Sequence, residues 1–97
     1  MRVEEVRTLV DLRAFVHHTL CDRENLLSEQ FPLRETQLTR GGRICGLEFN
    51  VHGPRSIRLN AIWAADHNQL YCYGADGERF LKIRLSHRLE LEESAAA

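Results

Sequence analysis

No stretch of this sequence stays apolar for the ~20 residues that a bilayer-spanning helix needs. Its longer apolar runs, such as Asn60-Ala61-Ile62-Trp63-Ala64-Ala65, stop far short of that. Arg2, Glu4, Glu5 and Arg7 break up any signal-peptide core, so a cytoplasmic protein without membrane contact is expected. An excess of one charge is missing too. Thirteen Lys and Arg stand against fourteen Asp and Glu, a formal charge of -1, so the chain as a whole has no field to hold nucleic acid or anionic lipid. A local basic patch is still open. Cysteine is scarce: three cannot all pair, and Cys45 and Cys72 fall at positions that read as strand interior, which favours reduced, buried thiols over a disulfide framework.

Catalytic and cofactor motifs are also lacking. The glycines form no Gly-x-Gly-x-x-Gly or phosphate-loop pattern, and Gly41-Gly42 joins strand to strand with no helix following to turn its N-terminus on a phosphate. There is no Gly-x-Ser-x-Gly, His-Glu-x-x-His or paired acidic motif. A non-enzyme with no cofactor is therefore expected. His17, His18 and Cys21 come nearest to a metal cluster, since i, i+4 and i, i+3 spacings share one helical face, but no Cys-x-x-Cys or His-x-x-x-His supplies the remaining ligands. Helix-surface histidines and a core thiol are the expected reading, with no metal. Cys21 lacks a positioned base for nucleophilic work, and His52 and His67 sit beside turn residues.

What the sequence does carry is one change of hydrophobic period. Its 97 residues bound a single core, and residues 1–91 read as one α+β domain, with 92–97 set aside as a frayed tail. Leu9, Leu12, Phe15, Val16, Leu20 and Leu27 recur near helical spacing behind Thr8-Leu9-Val10-Asp11, a capping box, and predict one amphipathic helix that ends before Pro32. Beyond Pro32 the period becomes two. Turn residues at Gly41-Gly42, Gly53-Pro54, His67-Asn68 and Asp76-Gly77 divide the rest into a four- to five-stranded antiparallel meander.

A two-residue turn at Asp76-Gly77 sets Tyr73 opposite Phe80, Cys72 opposite Leu81 and Leu70 opposite Ile83. A two-residue turn at His67-Asn68 sets Trp63 opposite Cys72. A three-residue turn at Gly53-Pro54-Arg55 sets Val51 against Ile57, Phe49 against Leu59 and Cys45 against Trp63. The inner face then collects Cys45, Leu47, Phe49, Val51, Ile57, Leu59, Ala61, Trp63, Leu70, Cys72, Leu81, Ile83 and Leu85, with the helix across it.

The outer face, which in a half-wet sheet should be mainly polar, instead receives Ile44, Ile62, Tyr71, Tyr73 and Phe80, bordered by Arg58, Lys82 and Arg84. Aromatic anchors in a basic rim match the make-up of contact surfaces. The leading expectation is a non-catalytic protein-interaction domain that pairs through this face, most simply as a homodimer. The alternative is a single-stranded nucleic-acid-binding module, with the aromatics stacking on bases and the basic rim on phosphates.

Overall fold

A computed structural model of the chain describes residues 2–91. It is an α+β fold in which one helix packs on a six-stranded sheet. The elements in chain order are β1 (Val3–Glu4), α1 (Leu9–Arg23), β2 (Leu33–Arg40), β3 (Arg43–His52), β4 (Arg58–Ala64), β5 (Gln69–Tyr73) and β6 (Arg79–Leu85). The sheet runs β1-β6-β5-β4-β3-β2, antiparallel except for the β1–β6 edge. The expected meander is β2 to β6. The extra strand β1 is only two residues long, too short for a periodic signal, and exists because Arg84 and Ser86 amides donate to the Arg2 and Glu4 carbonyls. The tail at 92–97 lies outside the described residues. Among the described residues no helix is long and apolar enough to cross a membrane.

The helix begins where the sequence predicts. Thr8 is the N-cap, and its hydroxyl accepts from the Asp11 amide at 3.1 Å, while the Asp11 carboxylate accepts from the Arg7 amide. It ends four residues earlier than the apolar spacing suggests. Asn25 takes φ 57°, its amide donates to Asp22 O, and the Leu26 amide donates to Cys21 O. This Schellman arrangement closes the last turn and points Leu26 back at the core, leaving Leu27 largely exposed. Leu12, Val16 and Leu20 form the buried stripe, and α1 lies across β3, β4 and β5. It does not reach over β2, whose inward positions Glu35 and Gln37 are exposed; Arg13 of the helix donates to Glu35 at 2.7 Å instead.

Away from two bulges the faces of the sheet are as predicted, but the partners across β3–β4 and β4–β5 are not. The β3–β4 loop spans Gly53–Ile57, with its tight turn at Arg55-Ser56, both at positive φ, where the Ile57 amide donates to Pro54 O. That loop is two residues longer than expected, so Val51 faces Leu59, Phe49 faces Ala61 and Leu47 faces Trp63. The β4–β5 loop is likewise two residues longer, and Trp63 faces Leu70 rather than Cys72. Each displacement is even, so no side chain changes face. Leu47, Phe49, Val51, Leu59, Ala61, Trp63, Leu70, Cys72, Ile83 and Leu85 are all buried in one cluster with Val6 and the helix stripe. Ile57 and Leu81 are partly buried against it.

Two bulges change what alternation alone would give. Between Leu38 and Thr39 the β2–β3 register skips Cys45, which leaves the inner row assigned to it and is only half-buried. On the far side of that bulge Gly46 pairs with Ala64, and a Cβ at Gly46 would lie 2.3 Å from the Trp63 carbonyl oxygen. Gly46→Ala must therefore push β3 and β4 apart, and its expected cost is about 1–3 kcal/mol by urea denaturation. A silent substitution would show that the strands do not approach this closely.

The second bulge sits at Phe80. Gly77 NH donates to Gly74 O and Gly77 has φ 81°, so the β5–β6 loop is three residues, Ala75-Asp76-Gly77, rather than two. The extra residue moves the register by one and sets Tyr73 opposite Arg79. The bulge then restores it, so that Cys72 faces Leu81, Tyr71 faces Lys82 and Leu70 faces Ile83 as predicted.

Candidate functional site

The outer face is a grid that can be read from the strand register. Its central row is Thr36, Glu48, Ile62, Tyr71 and Lys82 across β2 to β6. On one side lies the row Arg34, Asn50, Asn60, Tyr73 and Arg79, followed by His52 with Arg58. On the other lies Gly46, Ala64, Gln69 and Arg84, with Val3 of β1 beyond. Ile62, Tyr71 and Tyr73 thus share the face to which the sequence assigned them.

Phe80 does not. The bulge turns both Phe80 and Leu81 to the helix side, where Phe80 packs against the core and the Arg23 guanidinium lies 4.6 Å from its ring centre. Ile44 lies beyond the other bulge, half-buried and opposite Thr39. Arg58, Lys82 and Arg84 are exposed outward, as the basic rim requires. Arg79 joins them, which the expected turn length concealed.

The aromatic part of this face is modest. Ile62, Tyr71 and Tyr73 are half-buried among polar neighbours, and Val3 is the one large, strongly exposed apolar side chain in the grid. Tyr71 donates to Gln69 Oε1 at 2.6 Å, while Arg79 and Lys82 approach its ring at 5.7 and 5.8 Å. Asn60 Nδ2 donates to Glu48 Oε2 at 2.7 Å and to Asn50 Oδ1 at 3.2 Å, so the centre is an ordered polar bed.

Charge is distributed more unevenly than the composition suggests. Among the described strand residues, Arg34, Arg58, Arg79, Lys82 and Arg84 share the face with one carboxylate, Glu48. His52 registers the field: its pKa is held below the ordinary imidazole value by desolvation and then by the charges of Arg58 and Arg34. The Arg58 guanidinium lies 3.0 Å from the His52 ring.

The helix residues considered for metal or nucleophilic chemistry do not converge. His17 Nε2 lies 2.7 Å from the Phe31 carbonyl, whereas His18 lines a groove on another side of the helix. Cys21 is buried in the core cluster, and burial pushes its thiol pKa up. Cys72 is pushed up to about 12 for the same reason. That sign makes both poor thiolates. It also means that the stability tied to the Cys72 thiol is intact below the unfolded value of 9.0 and is lost as pH rises from there towards about 12. Cys21, Cys45 and Cys72 are free. Among the described residues no group of three or more His, Cys, Asp or Glu side chains could hold a metal ion.

The groove beside His18 is an open concavity of about 500 Å³ between α1 and β6, with Phe15, Phe80 and Leu81 against Arg2, Asp22 and Arg23. Its charges are largely spent within the chain. Arg2 pairs with Glu4, Arg23 lies over Phe80, and the negative end of the helix dipole is close by. Compared with known proteins, the chain matches no family model, no curated protein and no solved structure.

Proposed function

We propose that this protein is a non-catalytic binding domain whose outer sheet face takes an anionic partner. The observation that carries the reading is the segregation of charge: a chain of net charge -1 places Arg34, Arg58, Arg79, Lys82 and Arg84 on one face of its paired strands, where Glu48 is the one carboxylate among the described residues in register with them. Such a face raises the local concentration of anions although the molecule as a whole has no field. Ile62, Tyr71 and Tyr73 supply the apolar contact at its centre, and Lys82, Arg84, Arg79 and Arg58 the charged surround.

A homodimer through the same face draws support from those three apolar residues, yet the charges count against it. Two copies would bring like-charged surfaces together, at a cost of several kcal/mol, with only half-buried side chains to offset it. Sedimentation at high protein concentration is expected to find a monomer. Calorimetry with a short heparin chain at low salt is expected to find binding that Lys82→Glu with Arg84→Glu reduces more than tenfold. A dimer that survives both charge reversals, with no heparin binding, would sink the proposal in favour of self-association.

A further inference from the structure

We infer that the anion is a single-stranded nucleic acid running along β6, with its phosphates on Arg79, Lys82 and Arg84 and its bases on Tyr71 and Tyr73. This rests on the anionic-face reading and goes beyond it by naming the partner's chemistry. The three cations stand in one column, because the bulge at Phe80 removes the odd residue between Arg79 and Lys82 and keeps all three outward. Successive outward positions on a strand are about 6.6 Å apart. A line of separate positive charges at such intervals complements a chain of regularly spaced negative charges better than it does a compact anion.

The neighbouring column on β5 is Gln69, Tyr71 and Tyr73, in register with Arg84, Lys82 and Arg79 respectively. Two rings on one side of one strand are stacking platforms for consecutive bases, and they are sequence-tolerant because every base has a π-face. The Gln69 amide, held by the Tyr71 hydroxyl, lies beside them as a polar group for a base edge. Beyond them, Asn60 and Ile62 on β4 continue the bed under the bases. Phosphate row, ring row and polar bed are therefore parallel, the order in which backbone and splayed bases of one strand lie on a sheet. A duplex hides its base faces and could use only the cations.

The test compares a 12-nucleotide oligothymidylate with the abasic deoxyribose-phosphate chain of the same length, by fluorescence anisotropy with the full chain. The oligothymidylate is expected to bind at least about tenfold more tightly, since each stacked base adds measurably to affinity. With three phosphate contacts its affinity is expected to fall about twenty-fold between 50 and 200 mM salt. Tyr73→Leu and Tyr71→Leu, each checked for an unchanged melting curve, should bring the oligothymidylate to the abasic level, and Lys82→Gln should weaken both probes and flatten the salt slope. Equal affinity for the two probes, or a duplex bound as tightly as the single strand, would overturn this inference and leave the anionic-face reading standing. Failure of both probes and of heparin would remove both.

Discussion

Trp63→Ala is expected to lower the unfolding free energy by about 3–5 kcal/mol, a large share of what a domain of this size possesses. Trp63 is 1% exposed near the C-terminal end of β4, flanked by Leu47 on β3 and Leu70 on β5, and belongs to the same buried cluster as Val16 and Leu20 of the helix. The strands on either side are hydrogen-bonded in register and cannot close over the hole, so the lost apolar contact and the cavity both count. Tyr73→Ala lies on the other face, opposite Arg79 and Asn60, and is half-buried. It is expected to cost less than about 1 kcal/mol in folding while acting on binding. Urea denaturation of the two variants side by side decides which face is the core. Unfolding by Tyr73→Ala with Trp63→Ala nearly silent would mean that the sheet is inside out.

The second large effect belongs to Asn68, the buried polar side chain among the described residues. It ends the β4–β5 loop with φ 52°, a conformation that asparagine tolerates better than most residues. Its Oδ1 accepts from Trp63 Nε1 at 3.0 Å, and its Nδ2 donates to His87 O at 2.8 Å and to Leu85 O at 3.4 Å. Its own carbonyl accepts from the Leu85 amide. One side chain thus satisfies the core indole and ties the end of β6 to the loop, which Arg88 also clasps by donating to Ala65 O.

Asn68→Leu strands the indole N–H and the carbonyls and adds the left-handed backbone cost. Its expected loss is about 3 kcal/mol or more. Asn68→Gly relieves the backbone and keeps the hydrogen-bond loss, so it should fall between wild type and Asn68→Leu. Trp63→Phe removes the indole donor, and in a double-mutant cycle with Asn68→Gly the two should couple by about 1 kcal/mol. Strict additivity would show that the Asn68–Trp63 bond contributes nothing.

How far the site could be read in advance follows from the same geometry. Ile62, Tyr71, Tyr73, Arg58, Lys82 and Arg84 were assignable to the outer face because their alternation belongs to single strands and survives any even change of register. Two of the loops, Gly53–Ile57 and the one ending at Asn68, are longer than expected by two, which changes cross-strand partners without turning a side chain over. Phe80 and Arg79 were not assignable, because the loop through Asp76-Gly77 is longer by one and an odd change exchanges faces. The compensating bulge has no local sequence signature. It is set by the need to keep Leu81 and Ile83 in the core row against Cys72 and Leu70, a requirement that exists only once the strands are paired.

What the sequence by itself determined is therefore whatever one segment encodes alone. Thr8 and Asp11 start the helix, period-two patterning sorts the strands into a buried and an outward set, and glycines at Gly41-Gly42 and Gly77 mark where the chain can reverse. The tertiary structure decided whatever needs two distant segments at once. Asn25 halts the helix where Leu26 can meet the core, and β1 forms only because β6 offers it an edge. Asn68, which reads as an ordinary turn residue, is the partner of a tryptophan on one strand and of carbonyls beyond another. The even spread of charge along the chain becomes a basic face only when pairing brings β2, β4 and β6 into one plane. The physical reason is common to all of these: alternation is a property of a single backbone, whereas register, bulges and buried hydrogen bonds minimise the free energy of contacts between segments that meet only on folding.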